Sequence, residues 1–159
     1  MRAHVFISCG QDQESDEVAV AQAIAKGLRD LGYDPYIAVQ EQTLRGLTDN
    51  LFARLADSEY LVFVDFLREQ LANSPAHRGS LFSHQELAIA AFLGLDVIAL
   101  QEAGTKPRDG MIRFLQTNPV EFNVRGDLPQ LVLAKVKDRG WTPEWRRDVE
   151  VGARPRPVR

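Results

Sequence analysis

The sequence predicts one α/β domain on a doubly wound parallel sheet of five strands, in the flavodoxin-like order 2-1-3-4-5. Three observations carry this reading. Apolar runs and helical segments alternate five times, which implies right-handed βαβ crossovers and helices on both faces of the sheet. The run Tyr60-Leu61-Val62-Phe63-Val64 is apolar on both faces, as a central parallel strand covered by helices is. With 159 residues and 45% apolar content, the chain can close one core.

The first strand is expected at residues 4–8, ending in the polar turn Cys9-Gly10-Gln11-Asp12. A helix follows over 15–31. Ser15 is placed to cap it, Asp16 and Glu17 favour its dipole, and Ala21, Ile24, Ala25, Leu28 and Leu31 form its apolar stripe. Gly32 stands where a left-handed cap belongs. The second strand is expected at 35–39. A polar segment, 40–46, then leads into a helix carrying Leu47, Leu51, Phe52 and Leu55.

After the central strand, residues 67–79 read as a loop with room for one helical turn. A helix over 81–93 ends at Gly94, and from Leu87 to Leu93 it is wholly apolar, which predicts a buried body. The remaining elements are a strand at 97–100, a short helix at 111–116, a strand at 120–124 and a last helix at 128–137. The domain is expected to span 1–139. Residues 140–159 carry Pro143, Pro155, Pro157 and five arginines after Trp141, and read as a tail or linker. Trp141 and Trp145 would either pack back onto the domain or begin a further module.

A net charge of −3 lacks the strongly basic balance of a nucleic-acid binder. No window approaches the roughly 20 apolar residues of a membrane span, and the N-terminal apolar run is too short for a signal peptide. The single cysteine, Cys9, excludes an internal disulfide or a multi-cysteine zinc site, and His4, His77 and His84 have no metal-ligand spacing. No metal or cofactor is therefore expected, and the default compartment is the cytoplasm. Phosphate-loop, dinucleotide and G-x-S-x-G signatures are absent.

A sheet of this order binds ligands at its carboxyl edge, between strands 1 and 3. Three segments should meet there: 8–12, 40–46 and the start of the helix after strand 3. That helix gathers its polar residues, Ser83-His84-Gln85-Glu86, at its N-terminal end. A carboxylate there, beside buried apolar surface, is a candidate for chemistry. The pattern Ser83-x-x-Glu86 also fits a capping box, in which Glu86 satisfies the helix amide. A helix capped at Ser83 supports the box, whereas one capped at Ser80 frees Glu86 for the cleft.

The strand Val5-Phe6-Ile7-Ser8, the run 58–63 and the segment Ser80-Leu81-Phe82-Ser83-His84-Gln85-Glu86-Leu87 together resemble TIR domains. That family shares a serine, any residue, Trp, Cys, two further residues and then Glu-Leu. Phe82 stands here for the Trp and Ser83 for the Cys, and 40–46 lacks the family's Asp-rich stretch, which suggests a divergent, prokaryotic-type branch. The resemblance covers residues 4 to about 137. It implies cleavage of the nicotinamide–ribose bond of NAD⁺ by Glu86, with NAD⁺ as substrate rather than cofactor, in prokaryotic immune (antiphage) signalling and through TIR–TIR homo-oligomers.

Nicotinamide leaves NAD⁺ as a neutral molecule, so a single carboxylate suffices to stabilise the ribosyl centre. Water as acceptor gives ADP-ribose, and a ring nitrogen gives a cyclic product. Substrate contacts are expected from Ser8, Cys9 and Gly10, from Arg45 and Gly46 toward a phosphate, and from Ser80, Phe82 and Ser83. Phe82 could stack on a base or ring, but reads more readily as a core aromatic. His84, about 200° around the helix from Glu86, reads as a surface residue. Two alternatives stand beside this reading: a non-catalytic self-association module, and an enzyme resembling nucleoside deoxyribosyltransferases, which also set a glutamate against an N-glycosidic bond.

Overall fold

A computed structural model describes residues 1–10, 12, 15–38, 46–107, 110–115 and 118–145, with side chains left aside at 47–49. Strands β1 (His4–Ser8), β2 (Asp34–Ile37), β3 (Tyr60–Asp65), β4 (Asp96–Glu102) and β5 (Val120–Phe122) form one parallel sheet in the order β2-β1-β3-β4-β5. Helix α1 (Glu17–Asp30) follows β1. A π-helical stretch, Leu47–Phe52, runs into α2 (Ala53–Ala56), and α3 (Leu81–Leu93) and α4 (Leu128–Asp138) complete the layers. The expected fold class and strand order are both observed.

Strand alternation divides the core into two faces. Val5, Ile7, Val62, Val64, Ile98 and Leu100 point toward α1 and α4, meeting Ile24, Leu28, Val132 and Val136. Phe6, Leu61, Phe63 and Ala99 point the other way, meeting Leu55 of α2 and Leu87 and Ala90 of α3. All six residues of β3 are buried, as a strand covered on both faces must be.

The second face controls the site. Ser8 follows Phe6 on its side of β1, Asp65 follows Phe63 on β3, and Gln101 follows Ala99 on β4. The register pairs Ser8 with Phe63 and Asp65 with Gln101. The apolar face under α3 thus ends, at the carboxyl edge, in a row of polar side chains.

Several expectations change. The N-cap of α1 is Asp16 rather than Ser15, although the Ser15 hydroxyl still accepts from the Glu17 amide at 3.3 Å. Strand β4 is longer than the sequence suggests, because Gln101 and Glu102 find polar partners at the edge. Gly110–Phe114 is a 3-10 turn, with Gln116 outside the described residues, and β5 stops at Phe122. The loop at 67–79 contains no helical turn. Its arms pair antiparallel (Arg68 N to Arg78 O at 2.9 Å, Arg78 N to Glu69 O at 2.8 Å) around Asn73, which has φ 59. Its second arm also docks beside the end of β4, His77 N donating to Gly104 O at 2.9 Å.

Helix α3 is less enclosed than its composition implies, since Phe92 is 59% exposed on its outer side. Residues 141–145 pack back onto the domain, the first of the two outcomes expected for Trp141 and Trp145. Trp141 is buried, stacks on Tyr60 with ring centroids 4.3 Å apart, and donates from Nε1 to Asp96 Oδ2 at 3.0 Å. Backbone bonds from Ala3 to Pro143 and from Trp145 to Met1 fasten this segment beside β1. The rest of the tail lies outside the described residues. Trp141→Ala is expected to cost about 3 kcal/mol of stability, in the range for truncating a large buried aromatic, read as a lowered midpoint in urea unfolding.

Candidate active site

Helix α3 begins at Ser80, which has extended geometry (φ −69, ψ 124) and accepts from the Ser83 amide at 3.4 Å. The capping box at Ser83 is therefore absent, and Glu86 is not spent on the helix end. Glu86 lies one turn further on, at the same face as Leu87 and Ala90, and is 8% exposed. Its Oε2 accepts a short hydrogen bond from the Ser8 hydroxyl at the end of β1. The sequence thus brings two of its candidate residues together across 78 positions.

Burial pushes the Glu86 carboxyl up to about 7, while the Ser8 hydrogen bond, which favours the charged form, opposes that rise. A carboxyl that changes charge near neutrality, in the edge where strand order reverses, is equipped to act as nucleophile, base or charge stabiliser.

The turn after β1 is shaped by a second acidic group. Glu17 is 2% exposed, pairs with Arg68 from the β3–α3 loop, and accepts from the Asp12 amide at 3.0 Å. A Cβ on Gly10 would overlap the Arg68 guanidinium and the Glu17 carboxylate, so a side chain there would have to displace that ion pair. Arg125 fastens the same corner through Glu102, at 3.0 and 2.9 Å, and Asp16, at 2.8 Å. Cys9 is buried, and desolvation followed by the charges of Glu17 and Glu86 pushes its thiol up to about 12. At neutral pH that thiol is protonated and unreactive.

The other candidates separate. Ser80 caps the helix and Ser83 is buried beneath it. Phe82 is 57% exposed beside Leu81, which corrects its reading as a core aromatic. A start at Ser80 turns position 82 outward. Gly46 is half-buried where the helical segment before α2 begins, and Arg45 lies outside the described residues.

A second cluster at this edge was not expected. Asp65, fully buried, accepts from Gln101 Nε2 at 3.1 Å and faces His84 Nε2 at 3.2 Å. His84 stands edge-on to Phe63 at 5.3 Å. The surface role read for His84 is thus corrected: in the first turn of α3 it points down onto the end of β3. An acid terminating a central apolar strand was the one sequence signal for this cluster. Gly79 belongs to it too, because a Cβ there would overlap Asp65 Oδ1.

No family model matches the chain, and no curated protein matches it in sequence. Solved structures with the same fold do. The CMP N-glycosidase BcmB of Clostridium botulinum superposes with a TM-score of 0.58 at 14% identity, covering 83% of this chain and 98% of its own. A 2-deoxyribosyltransferase from Leishmania mexicana superposes with a TM-score of 0.61 at 11% identity, covering 86% and 97%. Neither is a TIR domain. At these identities the likeness establishes the fold.

Because the folded-state pKa of Glu86 is raised from 4.5 to about 7, the stability that goes with its neutral form is complete below about pH 4.5 and lost as pH rises through 7. The loss is on the order of 3 kcal/mol. Glu86→Gln is expected to remove that decline, so the wild-type and variant melting temperatures converge at pH 4.5 and separate by pH 8, the variant melting higher.

Proposed function

We propose that this chain acts on the N-glycosidic bond of a nucleoside or nucleotide, with Glu86 as the carboxylate that meets the anomeric carbon. One observation carries the reading: Glu86 is buried at the ligand edge of the sheet, bonded to Ser8 and free of any capping duty. The fold neighbours, by their names an N-glycosidase and a deoxyribosyltransferase, support the same reaction class.

The chemistry asks little of the protein beyond this. As the base departs, positive charge develops at the anomeric carbon. The Glu86 carboxylate either bonds to that carbon or stabilises it until an acceptor arrives. Ser8 holds one carboxyl oxygen and leaves the other for the sugar. Water as acceptor makes the enzyme a hydrolase, and a second base makes it a transferase.

A second reading takes NAD⁺ as the substrate, favoured by the likeness of Ser80, Phe82, Glu86 and Leu87 to the TIR segment. It carries with it a homo-oligomeric assembly and a role in prokaryotic immune signalling. Chromatography of reactions with deoxynucleosides, CMP and NAD⁺, run at high protein concentration, separates the two. Release of cytosine or another free base selects the first, and release of nicotinamide alone selects the second. Intact substrates throughout would leave the self-association module.

On either substrate, Glu86→Gln is expected to lower kcat/KM by about 10³-fold or more. The reaction needs the carboxylate, so kcat/KM should fall as pH drops below about 7. Ser8→Ala removes the bond that favours the charged form, and the acid limb should move to higher pH. A limb that stays in place in that variant would assign it to another group.

A further inference from the structure

Helix α3 turns Glu86 inward and an uncharged face outward. Apart from the buried Glu86 it contains no Asp, Lys or Arg. On a wheel of about 100° per residue, Leu81, Gln85, Ala88 and Phe92 fall within about 60° of one another. That seam lies opposite the side that packs on the sheet through Leu87 and Ala90. Leu81, Gln85 and Phe92 are exposed and Ala88 is half-buried. The outer face of a surface helix ordinarily carries charged and polar residues, and here it offers one glutamine.

The apolar surface widens at both ends of the helix. Phe82 flanks the seam at its start, and Phe114, on the turn Gly110–Phe114, flanks it at its finish. Between Phe114 and the end of α3 runs a groove of about 450 Å³, lined by Ala91, Gly94, Leu95 and Leu115. Asp96 and Arg139 also line it and are bonded to each other, so covering the groove strands neither charge.

The size of this surface is that of one half of an interface. Leu81, Phe82, Phe92 and Phe114 are each 57–71% exposed. At about 150–250 Å² for an aromatic side chain, and somewhat less for leucine, they hold about 400–550 Å² of apolar area in water. A standard interface buries about 800 Å² on each partner, roughly 55–65% of it apolar, which is about 450–500 Å².

The pattern identifies the occupant. Steps of four, three and four residues are those of a two-helix seam. The ends of this seam are large and Ala88 is small, and the midpoint of Leu81 and Phe92 is also the midpoint of Gln85 and Ala88. An antiparallel second copy, turned about a two-fold axis at that midpoint, sets its Phe92 against Leu81 and its Leu81 against Phe92. Gln85 meets Ala88 on both sides of the axis, so the face is complementary to itself. Ala88 lets the helix axes approach to about 8 Å, the close end of helix packing. The two Gln85 amides lie beside the axis, and each has donors and an acceptor for the other.

We propose that the chain forms a two-fold dimer through the outer faces of α3, packed antiparallel about Gln85 and Ala88. The helix that presents Glu86 is then held from both sides. This arrangement is independent of which substrate is cleaved.

Sedimentation velocity of the full chain across a dilution series tests it. The wild type is expected at twice 17.8 kDa at the concentrated end. Gln85→Lys and Gln85→Glu each set like charges across the axis and are expected to weaken pairing by about 10²-fold. An equal mixture of these two variants should recover the dimer, because opposite charges then meet. Phe92→Lys should sediment as a monomer, and Val124→Lys, at an exposed valine outside the patch, should leave the dimer intact. Far-UV circular dichroism reports that each variant is folded. A wild type at 17.8 kDa throughout overturns the proposal and leaves the face to a lipid surface or a different protein. A dimer that survives Gln85→Lys and Phe92→Lys overturns it too, since another surface then joins the copies. A mixture that stays monomeric rejects the two-fold seam, and the proposal with it.

Discussion

Leu87 and Ala90 lie against Phe6, Leu61 and Phe63, and that apolar contact fixes where α3 sits across β1 and β3. Everything chemical at the edge is a consequence. Once those residues are seated, the preceding turn of the helix must stand over the ends of the two strands. Glu86 then meets Ser8, and His84 meets Asp65. Polar groups so placed are taken from water by the same packing that stabilises the core, and each must be compensated inside the protein.

The three buried acids near this edge are compensated in different ways. Glu17 is paired with Arg68, so its charge is balanced and it ties the β3–α3 loop to the start of α1. Asp65 is held by an amide and an imidazole. Burial pushes the Glu86 carboxyl up to about 7, and its one hydroxyl partner, Ser8, offsets only part of that rise. A carboxyl held mainly by packing is costly to ionise and correspondingly ready to bond or exchange a proton. That contrast separates Glu86 from its structural neighbours more firmly than burial does, since all three are buried.

Much of this was legible in the chain. The double-sided apolar run of β3 gave its central place, the stripe of α1 gave its buried face, and Gly94 gave the end of α3. Glu86 stood out because polar residues crowd one end of an otherwise apolar helix. Other features could not be read locally. The return of Trp141 onto Tyr60 depends on a partner 81 residues earlier, and the antiparallel arms at 67–79 depend on docking beside the end of β4. His84 was misread because helical angle alone says which way a side chain points, not what strand end lies beneath it.

By itself the sequence determined the alternation of elements, the order of the sheet and the candidacy of Glu86, because each follows from local periodicity and from the chirality of βαβ connections. It left open whether Ser83 and Glu86 close a capping box or Glu86 serves the cleft. Only the tertiary structure decided that: the helix starts at Ser80, and the hydroxyl that holds Glu86 comes from Ser8, 78 residues away. The reason is physical. A cap is chosen by which amides remain unsatisfied once the helix is seated, and that seating is fixed by packing against strands far off in the chain.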